Sequence, residues 1–256
     1  MLYLTGAASL LANAYLLQYA GRATAVAIDT RASHSQYAPI SVSCPSTPLV
    51  RSANGISSSE STYITARKAK ADTALAAWLA KTDAAFAANT SLPIPTLALA
   101  VSGGGLRSLL CGAGVIQALD SRDSTAGTNG IFQSLTYQSG LSGGAWLTTS
   151  LAGNDWPTIS SLTESLWEDA FKDTLLVPDK LLSILAYADI VKDVASKDKA
   201  GFDPTIVDIY GRLLGYQLLE ATDGGVATSL SDLTSFSNFT LFNVSTATVS
   251  RPPRLH

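Results

Sequence analysis

The chain has 256 residues, 46% of them hydrophobic and only 14% charged, with a net charge of −3. That composition excludes intrinsic disorder, and without a basic stripe it offers nothing to nucleic acid. The length suits one α/β domain or part of a larger one. Two cysteines, Cys44 and Cys111, are too few for a disulfide scaffold and lack metal-ligand spacing. They could pair with each other, or Cys44 could pair with a cysteine that this chain lacks.

Residues 1–27 are expected to be a secretory signal peptide. The run from Leu2 to Ala20 is mostly apolar, no charged side chain precedes Arg22, and Ala23-Thr24-Ala25-Val26-Ala27 offers small-x-small cleavage patterns. An uncleaved anchor is the alternative, because the run is near the minimum for a membrane span. Glycosylation triplets at Asn89, Asn238 and Asn243 agree with export. The expectation is a secreted or cell-surface glycoprotein.

Residues 28–62 are dominated by Ser, Pro, Asn and Gly and read as loop. Residues 64–88 read as a helix whose apolar face carries Leu75, Trp78, Leu79 and Phe86. Pro93 and Pro95 stop it and lead into a β-prone run, Thr96 to Val101. A turn with three glycines follows, Ser102-Gly103-Gly104-Gly105-Leu106-Arg107, then a helix from Arg107 to Asp120. Gly112 and Gly114 inside that helix are expected to permit close packing on a sheet. They do not build a dinucleotide fingerprint, because Ser108 and Gln117 stand where the third glycine would fall after each pair.

After a polar loop from Asp120 to Gly130, the run Leu135 to Ser139 reads as a second strand. It leads through Gly140-Leu141-Ser142-Gly143-Gly144 into a helix reaching Leu151. Three helical stretches follow, over 160–176, 179–195 and 203–221, the last with Ile206, Tyr210, Leu213, Leu214 and Gln217 near helical spacing. No further strand is evident, and a parallel sheet of two strands is not a stable domain. The expected fold is therefore α/β, a parallel or mixed sheet with flanking helices, incomplete toward its C-terminus. Residues 63–245 form its catalytic part and 246–256 an irregular tail.

The two glycine turns carry the chemistry. In G-x-S-x-G the serine sits on a sharp bend between strand and helix, where a Cβ at the glycine positions would collide with a neighbouring element. Its hydroxyl is exposed at a helix N-terminus, whose potential favours developing negative charge. The N–H groups of Gly103, Gly104 and Gly105 are unshielded and suited to an oxyanion. If the two strands are parallel in one sheet, both turns lie at the same edge, with Ser142 facing the glycine loop.

A serine needs a base. The only histidines are His34, just past the cleavage site, and His256, the last residue, and neither follows a strand end as a triad histidine does. A carboxylate acting directly is the remaining option. Asp223-Gly224-Gly225 is the local candidate, although a turn closing the preceding helix is the preferred explanation of that motif. No metal or other cofactor is implied by any ligand cluster, and no protein partner is indicated.

Taken together, Ser102-Gly103-Gly104-Gly105-Leu106-Arg107-Ser108, Gly112-Ala113-Gly114-Val115 and Gly140-Leu141-Ser142-Gly143-Gly144-Ala145-Trp146 resemble the fungal lysophospholipase/phospholipase B family, whose catalytic domain is shared with the cytosolic phospholipase A enzymes. The resemblance runs from about Tyr37 to about Asn243 and takes in Cys44-Pro45-Ser46, Leu49-Val50-Arg51, Tyr210-Gly211-Arg212 and Ala221-Thr222-Asp223-Gly224-Gly225. It implies a Ser–Asp dyad hydrolysing fatty-acyl esters of phospholipids or lysophospholipids at a membrane or micelle surface. Ser142 would be the nucleophile, Gly103, Gly104 and Gly105 the oxyanion hole, and Arg107 the phosphate-binding arginine. It also implies that the dyad aspartate lies in a separate Asp-Gly-Gly motif, the one at Asp223 matching an earlier, non-catalytic copy. Two alternatives remain: a patatin-like acyl hydrolase using Asp223 itself, and a non-catalytic fragment.

Overall fold

The computed structural model describes residues 37–46, 48, 50–85, 93–172, 183–221 and 223–226. Its centre is a pair of parallel strands, β1 (Leu97–Val101) and β2 (Leu135–Gly140), joined through helix α2 (Gly105–Leu119) and a 3-10 turn at Phe132–Ser134. Parallel strands cannot be joined by a tight hairpin, so a crossover of this kind is obligatory. Helix α1 (Ser58–Thr82) precedes the sheet and α3 (Gly143–Gly153) follows it. The chain between 159 and 170 is not one regular helix. A turn of α-helix at Ile159–Leu162 (α4) runs through a π-helical turn, Thr163–Trp167, into Glu168–Ala170 (α5). Helices α6 (Ser183–Lys199) and α7 (Ile206–Leu218) follow and are the last among the described residues. Among the described residues no helix is long and apolar enough to cross a membrane.

The expected α/β arrangement is present, and both strands lie within a residue of their expected bounds. The core gathers Leu109, Ala113 and Ile116 of α2, Leu147 and Leu151 of α3, Phe132 and Leu135 at the entry to β2, and Trp156, Ile159, Leu162, Trp167, Leu214 and Leu218 from the later segments. Gly112 serves the close packing expected of it: a Cβ there would lie 2.8 Å from both Leu147 and Val101. Gly114 does not. It is exposed and a Cβ would meet nothing within 4 Å.

Helix α1 begins six residues earlier than its apolar pattern suggests. Ser57 caps it by accepting the N–H of Glu60 at 3.1 Å, and the acidic Glu60 suits the first turn. Its buried face also differs. Arg67, Ala71 and Leu75 are buried, while Trp78 and Leu79 are half-buried and Phe86 lies outside the described residues. The Arg67 guanidinium donates to Leu135 O at 2.8 Å and Gln133 O at 2.7 Å, and the Tyr63 hydroxyl donates to Thr136 O at 2.6 Å. Burial pushes the Arg67 pKa down to about 10, which leaves it cationic near neutral pH. Side chains of α1 therefore hold the carbonyls at the entry to the strand that ends in Ser142.

A second polar cluster ties Tyr37 to α6 and α7. Asp208 forms a capping box with Thr205 at the start of α7. Its carboxylate also accepts from Lys197 Nζ of α6 at 2.7 Å and from the Tyr37 hydroxyl at 2.6 Å. These bonds, Lys197 first, then Tyr37 and the Thr205 N–H, hold the Asp208 carboxyl well below its ordinary value. Burial and the Asp208 carboxylate push the Tyr37 hydroxyl up to about 12. A folded-state pKa below the unfolded one stabilises the fold at pH above the ordinary value of 3.8, and that contribution is lost as the pH falls through the folded pKa. Thermal melting followed by circular dichroism should show the midpoint falling on acidification below that value. Asp208→Asn should lower the midpoint at neutral pH and flatten the acid-side slope.

Candidate active site

The two glycine turns meet. Because β1 and β2 are parallel, the C-terminal ends of both strands, Val101 and Gly140, lie side by side in register. The ladder extends one residue further, the Leu141 N–H donating to Val101 O at 3.0 Å. Ser142 follows with φ +53° and ψ −119° and caps α3. For a residue with a Cβ that backbone conformation costs roughly 1–3 kcal/mol and persists only where the surroundings enforce it. The surroundings are backbone. A Cβ on Gly140 would stand 2.2 Å from Gly144 O, one on Gly143 2.1 Å from Gly105 O, and one on Gly144 2.3 Å from Val101 O. The glycines of G-x-S-x-G are thus required by main-chain contact, as their spacing suggests.

The triple-glycine turn lies against the serine itself. The Cβ position of Gly103 is 3.0 Å from Ser142 Cβ and 3.6 Å from Ser142 Oγ. Gly104 and Gly105 have φ of +146° and +65°, which lets the chain turn from β1 into α2 within three residues. The Ser108 hydroxyl donates to Ser102 O and closes the turn. Among the described residues no acceptor occupies the N–H groups of Gly103, Gly104 and Gly105. The N–H of Gly143, directly after Ser142, is likewise unoccupied. Sequence reasoning placed oxyanion donors only in the first turn. The signal for this fourth donor was the serine's place as a helix cap, where the first N–H groups always lack intrahelical partners.

Ser142 is exposed, and its hydroxyl makes no hydrogen bond among the described residues. Arg107 occupies the third position of α2, is exposed, and its guanidinium engages no described residue. The structure thus brings Ser142 together with Gly103 and Gly105 and sets Arg107 one turn into the adjoining helix. No hydrogen bond joins Ser142 to Asp223. Asp223 begins a turn, Asp223–Val226, in which its carboxylate accepts the Gly225 N–H at 2.9 Å. The carbonyls of Asp223 and Gly224 accept from Arg212 at 2.6 and 3.0 Å. It is a turn fixed by the arginine of Tyr210-Gly211-Arg212, but it does not close the helix as expected: α7 ends at Leu218, and Leu219, in extended conformation, is its C-cap.

Cys44 and Cys111 are both exposed free thiols, so they are not bonded to each other. His34, His256, Asn89, Asn238 and Asn243, with residues 1–27, expected to be a leader, and 246–256, expected to be a tail, lie outside the described residues. Among the described residues no group of three His, Cys, Asp or Glu side chains is arranged to hold a metal ion.

The family model for the lysophospholipase catalytic domain matches residues 97–246, which begin at β1 and include both glycine turns. Lysophospholipase 1 of Candida albicans is 42% identical over 216 residues, covering 79% of this chain and 35% of that protein. A probable lysophospholipase 3 of Schizosaccharomyces pombe is 37% identical over 219 residues, covering 82% of this chain and 33% of that one. The chain thus spans about a third of the length of these relatives. A solved structure of human GIVD cytosolic phospholipase A2 with methyl gamma-linolenyl fluorophosphonate aligns with 68% of this chain and 25% of that one, at 21% identity and a TM-score of 0.47.

The contact geometry distinguishes glycines that the sequence presents alike. Gly144→Ala forces a Cβ onto the β1 backbone and should cost roughly 2–4 kcal/mol. Gly114→Ala, in an open helical position, should gain about 0.5–1 kcal/mol. Urea denaturation of the two variants checks both signs.

Proposed function

The chain belongs to the lysophospholipase catalytic-domain family, and from that premise we propose that it carries the nucleophile and oxyanion half of a lysophospholipase/phospholipase B active site. The observation that carries this reading is the seating of the Gly103 turn against Ser142, so close that a Cβ added to Gly103 would stand 3.0 Å from the serine Cβ. Ser142 Oγ attacks the ester carbonyl carbon of a fatty-acyl phospholipid or lysophospholipid and gives up its proton to a carboxylate base. The carbonyl oxygen becomes an oxyanion within reach of the N–H groups of Gly103, Gly104 and Gly105, to which the geometry adds Gly143. The glycerol oxygen leaves with a proton and water then cleaves the acyl-enzyme. The base, by resemblance, is the aspartate of an Asp-Gly-Gly motif other than the one at Asp223, the only such motif in this chain.

Arg107 suits the phosphate of the substrate. A guanidinium can grip a phosphate through two parallel hydrogen bonds, and this one has no competing partner among the described residues. We further propose that the protein meets its substrate at a membrane or micelle surface outside the cell. The apolar leader at 1–27 and the glycosylation triplets at Asn89, Asn238 and Asn243 support that placement.

Fatty-acid release from lysophosphatidylcholine by the chain as given tests the reading. Because the one Asp-Gly-Gly motif of this chain is not the base in this reading, release by the chain as given should be slow; Ser142→Ala should abolish what remains, whereas Asp223→Asn should leave it at the parent value. Equal loss in both variants would transfer the base to Asp223, as in the patatin-like alternative. Release unaffected by Ser142→Ala would remove the serine from the mechanism, and a folded chain whose Ser142 does not react with a serine-directed phosphonate would favour a non-catalytic fragment.

A further inference from the structure

Two asparagines in the chain precede a glycine, in the pairs Asn54-Gly55 and Asn129-Gly130. In such a pair the glycine nitrogen can attack the side-chain amide carbon of the asparagine, because no side chain on the second residue obstructs the approach. The sequence presents the two pairs alike. The structure separates them by what each glycine nitrogen is already bonded to.

The first pair stands in a bend before α1, where Asn54, Gly55 and their neighbours Ala53 and Ile56 are all exposed. Gly55 has φ +104°, and a Cβ on it would meet nothing within 4 Å. Among the described residues nothing accepts from the Gly55 N–H, and nothing bonds the Asn54 side chain. The bend is held only through carbonyls: Arg51 donates to Ser52 O and to Gly55 O, both at 3.1 Å. That guanidinium sets positive charge beside the nitrogen that must lose its proton before it attacks, and a nearby cation favours the anion.

The second pair is built into the fold. The Gly130 N–H donates to Leu119 O and the Asn129 N–H to Ala126 O, both at 2.9 Å. Beside them the Thr128 hydroxyl donates to Ala118 O at 2.9 Å and the Ile131 N–H to Thr128 O at 3.3 Å. An N–H engaged in this way can neither ionise nor turn toward the side chain until the loop opens. The one Asp-Gly pair, Asp223-Gly224, could close the same ring with loss of water, and it is held likewise. Its Gly224 N–H donates to Ala221 O at 2.9 Å, and its carboxylate accepts the Gly225 N–H.

We propose that Asn54 is a site of spontaneous covalent modification, deamidating through ring closure with the Gly55 nitrogen in the folded chain, while Asn129 is protected. A bond forms between the Gly55 nitrogen and Asn54 Cγ as the bond from Cγ to Nδ2 breaks. The side-chain nitrogen leaves as ammonia, taking up the proton that the Gly55 nitrogen gave away. Water then opens the cyclic imide at one carbonyl or the other and leaves aspartate or isoaspartate. Either product places a new carboxylate three residues before Ser57, the cap of α1. Negative charge suits that end of a helix, so α1 is expected to persist. The inference is independent of the role of Ser142.

The test incubates the whole folded chain in mildly alkaline buffer and maps its peptides by mass spectrometry at intervals. Methylation by an isoaspartyl methyltransferase counts isoaspartate independently. The peptide holding Asn54 should convert at least about tenfold faster than the one holding Asn129, and faster still as the pH rises. In a parallel sample unfolded in urea the two pairs should react at similar rates, because the contrast comes from the fold. Comparable rates at both pairs in the folded chain, faster reaction at Asn129, or an intact Asn54 under conditions where the unfolded chain reacts would each overturn the inference. A contrast undiminished in urea would overturn it too, by tracing the difference to local sequence.

Discussion

The site depends on how closely two stretches of main chain approach one another. Gly143 stacks on Gly105 and Gly144 on Val101, at separations that exclude any side chain between them. Because of that contact, α3 starts directly against the turn that starts α2. Two helix N-termini then share one edge of a parallel sheet, and the field of both favours negative charge at the same point. The same contact imposes the unusual backbone of Ser142. Its conformational cost is met by main-chain packing and the core beneath, where α2 and α3 bury Leu109, Ile116, Leu147 and Leu151. Geometry made of backbone depends little on side-chain rotamers, which suits the oxyanion-binding role proposed for it.

The periphery shows a contrasting use of charge. Arg67, Arg122 and Arg212 each donate to main-chain carbonyls: Arg67 to Gln133 and Leu135, Arg122 to Trp156, Arg212 to Asp223 and Gly224. Two of them also pair with an acid, Arg122 with Asp120 and Arg212 with Asp193. A guanidinium in this role satisfies carbonyls that a loop or strand entry leaves without partners, and the desolvation it suffers is offset by several charge-assisted hydrogen bonds. Arg107 has no such partner among the described residues, which separates it from the other three despite an identical side chain.

What could be read from the sequence follows from which interactions are local. The strand–glycine–helix units were legible because each is specified within a dozen residues, by an apolar run and the glycines after it. The parallel pairing of the strands was legible as a condition and is met. The start of α1 was misplaced because Ser57, its cap, lies in a serine-rich stretch indistinguishable from loop. The buried face of α1 was misread because an arginine on a helix is usually solvated, and nothing near Arg67 signals that its partners are carbonyls 66 and 68 residues away. The stretch from 160 to 176 looked uniformly helical, since a π-turn shifts the hydrogen bonds without changing the residue pattern. Gly112 and Gly114 could not be told apart, because only Gly112 faces Leu147 and Val101.

The bonds from α1 to β2 have a consequence for where the structural unit begins. The family match starts at residue 97, with β1, whereas Arg67 and Tyr63 lie in a helix that ends at Thr82. A protein cut at the boundary of the match would leave the carbonyls of Gln133, Leu135 and Thr136 without these donors, at the foot of the strand that presents Ser142. The segment defined by shared sequence and the segment that satisfies its own hydrogen bonds are therefore different lengths of chain. The second includes a helix that carries none of the glycine motifs yet supports the strand they terminate.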